Sequence, residues 1–377
     1  MRISRLELAV SALPGVCLLS WTLLSAETEE PAPSCASTGD AVPTGLVVVM
    51  ENRPQMARLD LRALNNPSIT GVALQIRWRD IEPVEGKADW SKLDELVSAA
   101  ESSKKWVHLL IFPGFFSPSW ALEGVKTEPF AIQYGPGKGT VETLPMPWDG
   151  AYLTRWLAFL KLLSDRYAKS PAFRLVAASG PTSVSAEMTL PNSPKNLRTW
   201  QSDGYTPSRY IGAWKQVMQA YATDFPNQCI SLSVGSGGLS INDNGRIDGR
   251  AHLRTRQTIV DQAIEVLGRR LALQLSDVHA GPGPHSVSSE SEDQFVIGYN
   301  GRLITGFQMR TGAEGNSGVM GAEGDPPAAL KRSIDFAMEP NRAGRHVNYL
   351  EIYLPDVLAD EMQPVLRYGA SLFAGKQ

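Results

Sequence analysis

The sequence predicts a single α/β domain over residues 43–377, an eight-stranded (β/α)8 barrel. Short, uniformly apolar runs of four to seven residues recur along the chain, and such runs are typical of strands buried on both faces of a parallel sheet. Stretches with helical spacing of apolar residues lie between them. Eight repeats, without a glycine-rich phosphate loop after the first run, favour closure into a barrel over an open nucleotide-binding sheet.

The eight predicted strands are all continuous apolar segments, and each is separated from the next by a stretch with helical periodicity. In chain order they are residues 46–49, 72–78, 107–112, 175–178, 230–234, 272–275, 304–309 and 349–353.

The stretches between the strands predict amphipathic helices. Ser91 and Asp94 have the spacing of a capping box at the start of the first helix. Asp149 is the predicted N-cap of a second helix, whose apolar stripe includes Trp156. Further stripes begin at Ile211, Ile259 and Leu330, and the last helix is predicted near residues 361–372.

Two connections, residues 117–148 and 281–302, are too long to be simple turns. They follow the third and sixth predicted strands and leave from the C-terminal ends of those strands. Active sites of β/α barrels are built at that end. The sequence therefore predicts that both connections are elaborations of the working rim.

The N-terminus has the pattern of a secretory signal peptide, predicted as residues 1–26. Arg2 and Arg5 precede an apolar stretch over residues 8–24, and an acidic, proline-containing segment follows. Leu24 stands where a small residue is expected before cleavage, which leaves an uncleaved membrane anchor as the alternative. Residues 27–42 are predicted to be a disordered linker, and the protein to be secreted or periplasmic.

Composition narrows the possible partners. The formal net charge is −3 with scattered Lys and Arg, so no basic face predicts nucleic-acid binding.

The five His are dispersed and no paired-Cys motif occurs, so neither a metal site nor another cofactor is predicted. Cys229 opens an apolar strand and is predicted to be a buried free thiol, while Cys35 lies in the linker. No pattern predicts the oligomeric state.

Five segments carry a family resemblance. GVALQIRWRDIEPVEGKADWSKLD (residues 71–94) joins an Arg- and Trp-terminated strand to Glu-Pro, Gly and Asp-Trp before a helix. FPG (112–114) ends the third strand, and SPSW (117–120) follows it. With GPTSVSAEM (180–188) and YLEIY (349–353), these segments resemble the clan of retaining glycoside hydrolases with TIM barrels, including family 42 β-galactosidase-like and bacterial glycosidase-like proteins. The resemblance covers most of the barrel and implies hydrolysis of O-glycosidic bonds in a poly- or oligosaccharide.

A retaining glycosidase needs two carboxyl groups, one as acid/base and one as nucleophile. The resemblance implies that Glu187, after the fourth strand, is the acid/base, although Ala186 stands where the clan usually has Asn. Glu351 is the predicted nucleophile, because a carboxylate in a core strand is costly to bury without a function or a partner. It lies on the eighth predicted strand, whereas the clan's nucleophile ends the seventh, where Gln308 stands here.

Several residues are predicted to support this pair or to bind the sugar. Arg77 and Arg79 close the second strand, where an Arg can orient a carboxylate, and a structural ion pair between either one and Glu351 is the alternative to catalysis. Asp277 is a reserve nucleophile. The predicted substrate contacts are Arg77, Arg79, Asp277, His279 and Gln308, together with the possible stacking platforms Trp78, Trp120, Trp148 and Trp200. A non-catalytic carbohydrate-binding or structural barrel remains the alternative function.

Overall fold

The computed structural model describes Cys35 and residues 42–51, 59–133, 137–280 and 291–374. The predicted signal peptide lies outside these described residues, as does the predicted linker except for Cys35 and Val42. None of the helices in the described part of the chain is long and apolar enough to cross a membrane.

Eight parallel strands close into a barrel, which confirms the predicted fold class. The barrel strands are β1 (Gly45–Glu51), β2 (Ile69–Arg77), β3 (Trp106–Phe112), β6 (Phe173–Ala177), β7 (Cys229–Ser233), β8 (Leu271–Val278), β9 (Ile304–Met309) and β10 (Tyr349–Tyr353). They follow one another around the barrel in chain order, and β10 pairs with β1 to close it. The connection after β3 contains an antiparallel hairpin of β4 (Thr127–Ala131) and β5 (Val141–Pro145).

The helices of the described residues follow the strands in the alternation that the sequence predicts. They are α1 (Trp78–Ile81), α2 (Ser91–Ser102), α3 (Gly150–Tyr167), α4 (Pro194–Ser202), α5 (Pro207–Asp224), α6 (Ala251–Leu267), α7 (Glu292–Ile297), α8 (Pro326–Ala337), α9 (Leu354–Leu358) and α10 (Gln363–Ala374).

Of the two predicted helix caps, one is confirmed and one is wrong. Asp149 caps α3, since its Oδ1 accepts a hydrogen bond from the Tyr152 amide at 3.0 Å. Ser91 does not cap α2, because its own amide donates to Asp89 Oδ1 at 2.9 Å. Asp94 turns instead toward α3, where its Oδ1 accepts a hydrogen bond from Arg166 Nε at 2.9 Å. The tertiary partner thus takes the carboxylate that a local capping box would have used.

The interior of the barrel contains a cluster of side chains drawn from all eight strands, separate from the core between strands and helices. Alternate residues of each strand point inward, as the pleat requires. Trp106 and Tyr349 lie near the N-terminal end and pack edge to face, with ring centroids 5.8 Å apart. Polar side chains occupy the interior nearer the C-terminal end, and these define the site described below.

A disulfide joins Cys35 to Cys229 at the start of β7, and both residues are buried in the barrel-interior cluster. The prediction of a free thiol at Cys229 is therefore wrong. The two cysteines lie 194 residues apart in the chain, and only closure of the barrel brings the start of β7 within reach of Cys35. One residue of the predicted linker is thus covalently attached to the barrel.

Removing the disulfide should destabilise the barrel. The Cys35→Ala variant should have a free energy of unfolding about 2–4 kcal/mol lower than wild type, because the cross-link restricts the unfolded chain. Urea denaturation with and without reductant measures this difference. Reduced wild type should match the variant in reductant, and equal stability of oxidised wild type and Cys35→Ala would contradict the expectation.

Candidate active site at the C-terminal end of the barrel

Glu187 lies on the barrel rim because the connection after β6 returns to the sheet. Its backbone pairs with Ser233, the last residue of β7, and the Met188 amide donates to the Ser233 carbonyl at 3.0 Å. Gly235 permits this close approach, since it has φ +42° and a Cβ there would lie 2.3 Å from Thr189 Oγ1. The irregular connection therefore extends the wall of the barrel and brings Glu187 to its mouth.

The environment of Glu187 favours the protonated acid. Burial is the largest cause and raises the pKa of Glu187 to about 7, and the charges of Glu292 and Asp277 act in the same direction. Hydrogen bonds from the Ser276 amide and the Ser185 hydroxyl oppose the shift. A carboxyl group with this pKa can hold or release a proton near neutral pH.

Glu351 lies inside the barrel, where its side chain has 0% exposure. Its Oε1 is 2.6 Å from His108 Nδ1, and its Oε2 accepts a hydrogen bond from Gln274 Nε2 at 2.9 Å. The network continues from His108 Nε2 to Ser231 Oγ at 2.8 Å, and from the Tyr349 hydroxyl to Gln274 Oε1 at 2.9 Å. These bonds offset the cost of burying a carboxyl group.

A second chain of polar side chains crosses the mouth above Glu351. Gln75 Nε2 donates to Gln308 Oε1 at 2.9 Å, and Gln308 Nε2 donates to the Tyr353 hydroxyl at 2.9 Å. Tyr353 follows Glu351 by two residues on β10 and therefore shares its inward face. The predicted contact Gln308 is thus 3% exposed and hydrogen-bonded within the protein.

Asp277 and His279, which the sequence predicts as substrate contacts, come together through Arg310. Asp277 Oδ1 lies 3.1 Å from Arg310 Nε, and His279 Nε2 accepts a hydrogen bond from Arg310 Nη1 at 2.7 Å. The Asp277 side chain is 47% exposed, whereas His279 is buried. Sequence reasoning missed Arg310 and Glu292, although Arg310 directly follows the seventh barrel strand and Glu292 lies in a predicted rim elaboration.

Arg77 and Arg79 lie at the end of β2 and share one aromatic partner. Their guanidinium carbons are 5.8 and 5.3 Å from the centroid of the Phe116 ring, respectively. Arg77 Nε also donates to Asp80 Oδ2 at 2.7 Å. The alternative of an ion pair with Glu351 is therefore wrong for Arg77 and Arg79 alike, since the partners of Glu351 are His108 and Gln274.

The four predicted stacking platforms differ in exposure. Trp200 is 0% exposed in α4, where its Nε1 donates to the Pro191 carbonyl at 2.8 Å, so the prediction is wrong for this ring. Trp78 is 0% exposed, because α1 begins at this residue and directs its ring into the layer between barrel and helices, against Trp156. It has no free face for a sugar. Trp120 and Trp148 are both partly exposed. Trp120 Nε1 donates to the Glu82 carbonyl at 3.0 Å, which holds this ring beside the end of β2.

No protein-family model matches the sequence, and neither does any curated protein. Solved structures resemble it at low identity. Over 91% of this chain and 62% of that chain, the structure is similar to the exo-β-1,4-mannosidase Op5Man5 from Opitutaceae bacterium strain TAV5, with a TM-score of 0.51 and 12% identity. The chain thus spans less than two thirds of that mannosidase, and the likeness shows a shared fold.

Two further glycosidase structures give lower scores. A β-galactosidase from the psychrophilic Marinomonas ef1 has a TM-score of 0.44 and 14% identity, over 87% of this chain and 59% of that chain. A variant of the GH5_18 protein from Bifidobacterium longum subsp. longum ATCC 55813, in complex with Manβ1-4GlcNAc, has a TM-score of 0.45 and 13% identity. The likeness covers 88% of this chain and 78% of that chain. The specific resemblance to family 42 stays a prediction.

Proposed function

We propose that this chain is an exported glycoside hydrolase that cleaves O-glycosidic bonds of an oligo- or polysaccharide, with Glu187 as the general acid. The observation that carries the proposal is a carboxyl group at the barrel mouth whose pKa burial raises to about 7. A glycosidase acid must be protonated near neutral pH so that it can protonate the leaving oxygen. The C-terminal end of the barrel is also where enzymes of this fold bind their substrates.

Asp277 fits the role of the second carboxylate better than Glu351. Its charge acts on Glu187, and its half-exposed side chain is accessible from the mouth. Arg310 Nε lies 3.1 Å from Asp277 Oδ1 and so compensates the charge of this carboxylate. Glu351, by contrast, binds His108 and Gln274 inside the barrel, so a sugar would reach it only if that interior network opened. The nucleophilic role of Glu351 implied by the family resemblance stays a prediction, which the variants below test.

The first experiment is a turnover screen of the wild type against aryl glycosides and plant or algal oligosaccharides. NMR of the first product formed then determines its anomeric configuration. Retention is expected for carboxyl groups about 5–5.5 Å apart, and inversion for about 6.5–9.5 Å. Retention or inversion supports the proposal if Glu187→Gln also loses turnover. If Glu187→Gln turns over the substrate as fast as wild type, the proposal is contradicted.

The two candidate partners of Glu187 should respond differently to amide substitution. Asp277→Asn should lower kcat by about 100-fold or more, the effect of removing a catalytic carboxylate, while Glu351→Gln should stay within a few-fold of wild type. Steady-state kinetics on the best substrate measures both. Asp165→Asn, on the exposed surface of α3, is the matched control. A larger loss of kcat in Glu351→Gln than in Asp277→Asn would assign the role of second catalytic carboxylate to Glu351.

A carbohydrate-binding barrel without hydrolysis is the second candidate. It is favoured by Gln308, which stands on the seventh barrel strand where the clan places its nucleophile. In that case the wild type would bind oligosaccharides without any turnover, and Glu187→Gln would leave binding unchanged.

A further inference from the structure

The pair Arg77 and Arg79 forms a distinct feature at the mouth, which we call the arginine pair. Arg77 is the last residue of β2, and Gln75 precedes it on the same inward face and bonds across the mouth to Gln308. Phe116 belongs to the short helical turn that follows β3. Both guanidinium groups lie over its ring, so the arginine pair occupies the rim between the second and third barrel strands.

The charge of the arginine pair is only partly compensated. Arg77 donates to both oxygens of Asp80, at 2.7 and 3.1 Å. Among the described residues, no carboxylate lies within ion-pair distance of Arg79, whose guanidinium group lies over the Phe116 ring. One positive charge therefore remains at this part of the rim, held against an aromatic face that restricts the side chain.

The part of the mouth opposite the arginine pair, near β7 and β8, contains a group of carboxyl side chains. Glu187, Asp277 and Glu292 lie close enough for their charges to act on one another. The cations beside them are already engaged, since Arg310 contacts Asp277 and the charge of Arg256 acts on Glu292. Among the described residues, the rim at β2 and β3 thus holds the arginine pair with Asp80, beside Glu51 at the end of β1, whereas the rim at β7 and β8 is rich in carboxyl groups.

We infer that Arg79, together with Arg77, binds an anionic group of the substrate, and that the sugar bound here is acidic, carrying a carboxylate or a sulfate. This inference rests on the proposed function, because it assigns the substrate class of that site. A guanidinium stacked on an aromatic ring keeps its in-plane N–H groups for a bidentate contact with such an anion. Asp277 and Glu292 across the mouth disfavour an anion there, so the substrate enters in one orientation, with its anionic group near β2.

Binding is tested without turnover, in the Glu187→Gln background of the full chain. The probes are oligosaccharides from pectin, alginate and sulfated algal galactans, each compared with its carboxyl-reduced or desulfated form by isothermal titration calorimetry. At least one acidic oligosaccharide should bind about tenfold more tightly than its neutral counterpart, the value of one charge-assisted contact. The carboxylated and sulfated sets distinguish the two sources of the anion.

Arg79→Gln should remove this preference, lowering affinity for the acidic form about tenfold and leaving the neutral form unchanged. Arg367→Gln, a loss of the same charge on exposed α10, should have no effect. Equal binding of acidic and neutral forms, or an acidic preference that survives Arg79→Gln, overturns the inference. Wild-type turnover of neutral glycosides alone would overturn it while sparing the proposed hydrolysis. Arg79-dependent binding without any turnover would refute hydrolysis and support the acidic subsite.

Discussion

Replacing Glu187 with Gln should lower kcat on an unactivated glycoside by about 10²–10⁴-fold, the usual contribution of a general acid. The amide keeps the size of the side chain and can still accept hydrogen bonds from Ser185 and the Ser276 amide, so the fold should be unaffected. What it cannot do is deliver a proton to the leaving oxygen. Steady-state kinetics of the purified variant, with circular dichroism as a check on folding, measures the effect.

The pH dependence gives this prediction a second measurement. Because burial raises the pKa of Glu187 to about 7, the fraction that carries the proton falls as the pH rises through that value. Wild-type kcat/KM should therefore decrease above about pH 7, and Glu187→Gln should lack this alkaline limb.

The leaving group provides the control for Glu187. A dinitrophenyl glycoside departs with little protonation, so the loss caused by Glu187→Gln should be much smaller on it than on an oligosaccharide. An equal loss on both substrates would show that Glu187 acts in binding or folding rather than as the acid. An alkaline limb that persists in Glu187→Gln would assign the ionisation to another group.

Replacing Glu351 with Ala should reduce the free energy of unfolding by about 3–5 kcal/mol, because it leaves two buried hydrogen-bonding groups without their partner. His108 Nδ1 and Gln274 Nε2 would both lose their acceptor in a site that water does not reach. The cavity left by the shortened side chain adds to the cost. Urea denaturation of the variant and wild type gives the difference.

Glu351→Gln keeps the size of the side chain and most of its hydrogen bonds. Its amide oxygen can accept from Gln274, and its amide hydrogens can donate to His108 Nδ1 if the proton of the imidazole moves to Nε2, which then donates to Ser231. The expected loss is only about 1 kcal/mol. If Glu351→Ala were as stable as wild type, the hydrogen bonds of Glu351 with His108 and Gln274 would not stabilise the fold. That result would favour a catalytic role for Glu351.

The fold was predictable because its signals are local. A strand buried on both faces must be apolar along its whole length, as 304–309 and 349–353 are, and a helix against the barrel must repeat its apolar residues at helical spacing. The N-cap at Asp149 was predictable for the same reason, since its partner is three residues away. The capping box at Ser91 failed because Asp94 finds its partner Arg166 on another helix.

The candidate site was predictable only in part. Glu187 follows the fourth strand and resembles the acid of a known clan, yet its pKa depends on Glu292 and Asp277, which the barrel brings to it from later in the chain. Trp78 was expected on the rim because it ends a predicted strand. The short helix α1 begins there instead and buries the ring.

The alternation of strands and helices, and with it the barrel, can be read from the amino-acid sequence, because hydrophobic periodicity is a property of neighbouring residues. The sequence also singled out Glu351, since a carboxyl group in an apolar strand requires a partner. The identity of the partners of Glu351 depends on the folded barrel. His108 lies 243 residues away from Glu351 in the chain, and the disulfide between Cys35 and Cys229 spans 194. Closure of the barrel sets such long-range pairings, and no local pattern records them.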